Sequence, residues 1–255
     1  MKNIFFTASI LCLISTALFS QTFYVKVGAG YAVGTSTGLL MPSTSATTTE
    51  GHYGSFGEGI LPSLTAGYMF NNNIGIEVSG AYLIGKKFEH EHAEEFVTET
   101  HKMWGEGIYV NPSIVLQAPM KSHTYYIRFG GSLGMLKMKE EETETGDSAR
   151  TGINKMESTG NIGFGINGAF GVQFKAGKMM NIFVEIFGTG MNYGPKQKEN
   201  TETFSGGTLD PKLNYEESFP TSTANTELTP RLPFSNYGLA LGITLNFGKP
   251  VKTKK

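Results

Sequence analysis

From Thr22 onward, large apolar and small or polar residues alternate with period two in eight separate segments, as strands with two unlike faces should. In the first, Thr22 to Val33, the residues Phe23, Val25, Val27, Ala29, Tyr31 and Val33 share one face. Tyr24, Lys26, Gly28, Gly30 and Ala32 share the other. In the last, Ser235 to Phe247, Tyr237, Leu239, Leu241, Ile243, Leu245 and Phe247 alternate with Asn236, Gly238, Ala240, Gly242, Thr244 and Asn246. Between them, Glu58 to Phe70, Ile74 to Gly85, Trp104 to Gln117, Thr124 to Met138, Gly160 to Lys175 and Asn181 to Tyr193 follow the same rule, the last least regularly. A tilted strand crosses a bilayer in about nine to eleven residues, so each segment is long enough to span. Pro62 and Pro112 fall inside two of the segments. Proline removes a ladder donor, which predicts a bulge or a strand end at each.

The connections alternate in length. Asn71 to Asn73, Ala118 to His123 and Ala176 to Met180 are short, whereas Gly34 to Gly57, Lys86 to Met103, Lys139 to Thr159 and Gly194 to Phe234 are long. Acidic residues crowd the long ones, with Glu89, Glu91, Glu94 and Glu95 in the second and Glu140, Glu141, Glu142 and Glu144 in the third. Past the N-terminus there is no run of about eighteen apolar residues to serve as a membrane helix. A membrane crossing would then need strands closed into a barrel, because lipid leaves an open edge unsatisfied. The prediction is an all-β fold: a closed antiparallel transmembrane β-barrel of eight strands, with short periplasmic turns and long extracellular loops.

Alternation alone also fits a soluble lipocalin-like carrier, whose apolar face points inward. The second face decides between them. A wet exterior should be rich in Lys, Glu and Asp, yet here that face holds mostly Gly, Ala, Ser, Thr and Asn. Small residues suit a cramped lumen and large apolar ones a lipid-facing wall. Two aromatic belts agree with that orientation: Phe23, Phe70, Tyr125, Phe174 and Phe247 toward the turn side, and Tyr31, Tyr82 and Tyr237 toward the loop side.

The first residues change the picture from fold to address. Lys2 precedes an apolar stretch, Ile4 to Leu18, and the small Ser20 precedes Gln21. This predicts a cleaved secretory signal over 1–20, an outer-membrane barrel over 21–247 and a basic tail over 248–255. The only cysteine, Cys12, lies inside the signal, so the mature chain has no thiol. Charged residues make up 17% and the net charge is -1, which argues against nucleic acid as a partner, since phosphate binding needs clustered Lys and Arg.

Candidate chemistry is sparse. Lys26, Glu77, Arg128 and Glu185 lie on the small-residue face at similar distances from the turn side, on alternate strands, with alternating sign. Such charges are costly in a narrow lumen unless paired. They are expected to form a plug, with a gate or filter as the functional alternative. Gly242 is expected to face the lumen with room for a serine hydroxyl. His90, His92 and His101, with Glu94 and Glu95, could approach a metal ion, because His-x-His places both rings on one side of a strand. A solvated loop is the expected reading, and the run Glu140 to Glu144 lacks calcium-loop spacing. His101 and His123 have no convincing Ser or Asp partner, and Asp147 and Asp210 are the only aspartates. No catalytic, cofactor or metal residue is therefore expected.

The opening strand Thr22-Phe23-Tyr24-Val25-Lys26-Val27-Gly28-Ala29-Gly30-Tyr31, directly after the signal, and the closing strand Gly238 to Phe247 resemble those of small outer-membrane β-barrels. The likeness is to the OmpA-type transmembrane domain, OmpX, OmpW and, above all, the porin-family outer-membrane barrels of Bacteroidota. It spans nearly the whole mature chain, is architectural and carries no functional motif. The tail after Phe247 departs from the usual terminal aromatic, and there is no room for a peptidoglycan-binding domain. The resemblance implies outer-membrane lipid and the barrel-assembly machinery as partners, with a loop ligand unspecified. A structural or surface-interaction role is expected, against a narrow porin or small-molecule channel as the alternative.

Overall fold

In the computed structural model, residues 22–35, 38–44, 49–94, 97–146, 151–202, 212–218 and 225–247 are described. The predicted signal over 1–20 and the predicted tail over 248–255 lie outside them. Eight strands form the wall: β1 (Thr22–Gly34), β2 (Gly59–Met69), β3 (Ile74–Gly85), β4 (Val97–Pro119), β5 (His123–Gly146), β6 (Gly163–Lys175), β7 (Met180–Tyr193) and β8 (Asn236–Phe247). Each pairs antiparallel with the next in sequence, and β8 pairs with β1, as in Phe23 with Phe247 and Gly28 with Gly242. The ring is closed, so every wall strand has two neighbours and none is left as an edge for lipid.

The side chains face as the small-residue argument requires. Leu241 is 68% exposed and Ile166 73%, while Lys26, Thr65, Glu77, Ser79, Ser113 and Thr244 are buried. The apolar face is the exterior. This excludes the lipocalin-like orientation, whose greasy face would be enclosed. Such a wall can be satisfied by hydrocarbon but not by water.

Three expectations need correction. Pro62 and Pro112 create neither bulges nor strand ends. Pro62 pairs in register with Ala29, and Pro112 with Val78. At each proline the paired positions skip on the other flank only: from Ile60 to Ser63 against β3, and from Val110 to Ser113 against β5, with the register unchanged beyond. Both prolines point outward. The ladder tolerates a missing donor because the pairing on either side holds the alignment.

The second correction concerns the segments 86–103 and 139–159. They are mostly strand: Phe88–Glu94 pairs with the outer part of β4, β4 with the outer part of β5, and β5 with Thr151–Thr159. Gln197–Glu202, Leu213–Glu216 and Thr226–Leu228 continue this sheet. The third concerns Gly242, where a Cβ would lie 2.2 Å from the Val27 carbonyl oxygen and 2.7 Å from the Phe183 ring, so there is no space for serine.

Candidate functional site: a charged layer and an aromatic cap in the lumen

The four predicted lumen charges meet. Lys26 Nζ donates to Glu77 Oε2 at 3.1 Å, and Arg128 Nη2 donates to Glu185 Oε1 at 2.8 Å. Arg128 Nε also stands 3.4 Å from Glu77 Oε1, an ion pair without a hydrogen bond, which joins the two halves. All four side chains are nearly inaccessible. Burial at this depth is tolerable because every charge has a counter-charge within contact distance.

Two tyrosines complete the layer. Tyr24 Oη donates to Glu77 Oε2 at 2.7 Å, and Tyr126 Oη donates to Glu185 Oε2 at 2.8 Å. The two halves repeat one design. Tyr24, Gly67 and Glu77 occupy one cross-strand row on β1, β2 and β3. Tyr126, Gly171 and Glu185 occupy the equivalent row on β5, β6 and β7. In each row the ring lies across the glycine of the middle strand to reach the carboxylate beyond. A Cβ on Gly67 would sit 2.1 Å from Tyr24 Cζ, and one on Gly171 2.4 Å from Tyr126 Cζ. Lys26 and Arg128 stand two residues beyond the tyrosines, in Tyr24-Val25-Lys26 and Tyr126-Ile127-Arg128. The Lys26 ammonium also lies 4.3 Å from the Tyr126 ring centroid, a cation–π contact across the lumen.

A search for charge alone does not find these tyrosines in the sequence. Their signal is a tyrosine two residues before each lumen-facing cation, in Tyr24-Val25-Lys26 and Tyr126-Ile127-Arg128.

The layer divides the interior. On the turn side a cavity of about 610 Å³ opens between Thr22, Asn71, Gln117, Lys121, Lys175 and Lys178, with Tyr24 and Tyr126 among its lining. On the loop side a cavity of only about 50 Å³ lies among Ser63, Thr65, Ser79, Asn111 and Asn167, with Arg128 and Glu185 in its wall. Ser132 donates to Asn111 and Ser113 to Asn167, so small polar groups satisfy one another there.

Further toward the loops a hydrophobic cluster lies in the lumen. Phe56 and Phe234, both outside the wall strands, are buried against Leu83, Tyr109, Leu136, Met191 and Tyr193. Backbone bonds seat them: Phe56 N donates to Pro233 O at 2.8 Å, and Phe234 N to Met191 O at 3.0 Å. Ser55 Oγ donates to the Ser235 carbonyl at 2.7 Å. Nothing in the periodicity marks these loop phenylalanines as core. At the rim, a hydrogen bond from Lys86 to Glu58, reinforced by the carboxylate's charge, holds the Lys86 ammonium above the usual lysine range.

The predicted belt residues Phe23, Tyr31, Tyr82, Tyr125, Phe174, Tyr237 and Phe247 are exposed on the outer surface, and Phe70 is half-buried just past β2. Phe23 and Phe247 face each other across the β1–β8 seam with centroids 5.9 Å apart. Of the histidine set, His90 faces His101, and His101 lies beside Glu99 and Glu142. The side chains of His92, Glu94 and Glu95 fall outside the described residues.

No family model matches the sequence, and no curated protein matches it. Among solved structures, the chain is similar to the outer membrane protein OprG from Pseudomonas aeruginosa, with 9% identity over 91% of this chain and 98% of that one, at a TM-score of 0.48. It is similar to Neisserial surface protein A, with 12% identity over 88% and 97% of the two chains, at a TM-score of 0.39. Outer Membrane Protein W of E.coli is matched with 13% identity over 90% and 100%, at a TM-score of 0.38. By its own geometry the chain is a small eight-stranded transmembrane β-barrel with short turns at one end and long connections at the other.

Proposed function

We propose that this protein is an outer-membrane barrel whose lumen is sealed and whose work is done by the structure it presents outside the cell. The observation that carries this reading is the double closure, by the Glu77–Lys26–Arg128–Glu185 layer and then by the Phe56–Phe234 cap. A barrel of about eight strands has an interior just wide enough for side chains, and here side chains pack across it at two levels. The long extensions of β4 and β5, with the strands paired to them, supply a surface for an external ligand. Export through the 1–20 signal and insertion by the barrel-assembly machinery would deliver the chain. The two lumen acids are held by cations and tyrosines.

Planar-bilayer recording of the purified protein tests the reading. A silent bilayer is the expected result, together with recovery of the protein in the outer-membrane fraction and a mature N-terminus near Gln21. Steady ion conductance would replace the sealed barrel with the narrow-channel alternative, and recovery as a full-length soluble cytosolic protein would end the membrane assignment.

A further inference from the structure

Beyond the aromatic cap, the strand extensions carry a group of side chains that the lumen does not use. Residues opposite each other in an antiparallel pair project from the same face, as do residues two apart on one strand. Phe88 faces Met103, and Met103 packs against the cap. The row two residues farther out, His90–His101–Glu142, therefore projects on the same axis-facing side. Glu99, two residues beyond His101, shares that face.

His101 Nε2 lies 3.7 Å from Glu99 Oε2 and 3.7 Å from Glu142 Oε1, and one donor atom from each of the three falls within 4.8 Å of the others. We propose that Glu99, His101 and Glu142 form a site for a divalent transition-metal ion of the zinc type on the outward sheet. Zinc holds imidazole nitrogen and carboxylate oxygen at about 2.0–2.2 Å in a tetrahedron, which sets neighbouring ligand atoms about 3.3–3.5 Å apart. The two His101 contacts need to contract by only a few tenths of an ångström, and the two carboxylate oxygens, within 4.8 Å of each other, by up to about 1.5 Å. One neutral imidazole and two carboxylates offset a dication's charge. The set lacks the thiolate that would favour monovalent copper, and has too few oxygens for calcium, which takes six to eight.

The backbone gives the site its rigidity. Glu99 and His101 belong to β4 and Glu142 to β5, two strands paired in unbroken register from Val97–Gly146 to Val110–Leu133. Three protein ligands leave a fourth position open to water or to a donor from outside, as in zinc sites that bind a further group. His90 lies opposite His101 in the ladder.

The extracellular placement of the site rests on the outer-membrane reading, but metal binding by the purified protein does not. A failed titration and a conducting lumen are therefore separate results. The experiment is calorimetric titration of the full barrel in detergent with zinc chloride at neutral pH, repeated with His101→Gln and with Glu89→Gln. The Glu89 carboxylate pairs with Lys102, whose side chain points to the other face of β4. Heat-modifiable gel migration verifies the fold of each variant, and cobalt substitution reports tetrahedral coordination through its visible absorption. One saturable equivalent is expected, weakened about tenfold or more by His101→Gln and unchanged by Glu89→Gln. Absence of saturable binding to the unmodified protein, or equal affinity in a folded His101→Gln, overturns the site.

Discussion

At the scale of single residues, the lumen layer concentrates risk, because each acid holds more than one partner. Removing one member of a buried ion pair costs about 3–5 kcal/mol, since the survivor stays charged and unpaired. Glu185→Gln and Arg128→Met are each expected to destabilise the barrel in urea titrations from lipid vesicles, and the double variant to recover part of the loss. The coupling should be about 1–3 kcal/mol for that pair. It should be smaller for Glu77 with Arg128, whose 3.4 Å contact lacks a hydrogen bond. Strict additivity in both cycles would mean that the charges are screened by water in an open pore. The glycines bear on the same layer. Gly67→Ala should push Tyr24 off Glu77 and cost more than Tyr24→Phe, which deletes only the hydroxyl bond of about 1.5–3 kcal/mol. If Gly67→Ala were as stable as the unmodified barrel, the ring could not be locked in its place.

At the scale of the element, what matters is which face of a strand a residue occupies. Along β8, Leu241 points to hydrocarbon and Ala240 to the small loop-side cavity. Leu241→Arg should cost about 2–4 kcal/mol near the bilayer midplane. Ala240→Ser should cost much less, because its hydroxyl enters a polar interior. Folding yields into vesicles of defined lipid provide the measurement, and the reverse order would turn the wall inside out. Gly242→Ser is no substitute for the lumen control, given the Val27 carbonyl against it. The strand extensions are elements of another kind, polar on both faces and held by cross-strand charge. Lys139 pairs with Glu106, Lys137 with Glu157, and Lys198 with Glu140. Each such surface pair contributes little, about 0–1 kcal/mol, so the continuous ladder does most to keep the sheet extended.

At the scale of the whole molecule, the sealed-barrel proposal puts two closures of different chemistry in series. Phe234→Ala should destabilise the barrel by about 3–5 kcal/mol, as the loss of a fully buried aromatic does. A folded Phe56→Ala/Phe234→Ala variant should nevertheless stay silent in planar bilayers, because the charged layer beneath remains. Single-channel steps from that variant would identify the aromatic cap as the sole barrier. The division of chemistry follows from position: charges meet where the wall can neutralise them, and apolar rings pack where loop segments fold back over the mouth.

The wall was legible in the sequence because a closed barrel in lipid has one rule that applies at every residue. Period-two alternation located all eight strands, and the poverty of charge on the small-residue face oriented them. The common depth of Lys26, Glu77, Arg128 and Glu185 could also be read from their offsets along alternate strands. Their partners could not, because pairing across a lumen depends on closure and on the stagger between strands. Only the folded barrel joined Arg128 to both acids and brought Tyr24 and Tyr126 over Gly67 and Gly171. The extensions are not legible for a related reason: a strand that is polar on both faces has no hydrophobic period, and its existence rests on the neighbour it pairs with. Local sequence therefore determined which face each wall residue presents to lipid. Tertiary structure decided which loop residues enter the core, as Phe56 and Phe234 do, and which distant side chains meet, as His101 does with Glu142. Facing is set by the geometry of one strand, whereas contact is set by the closure and register of many.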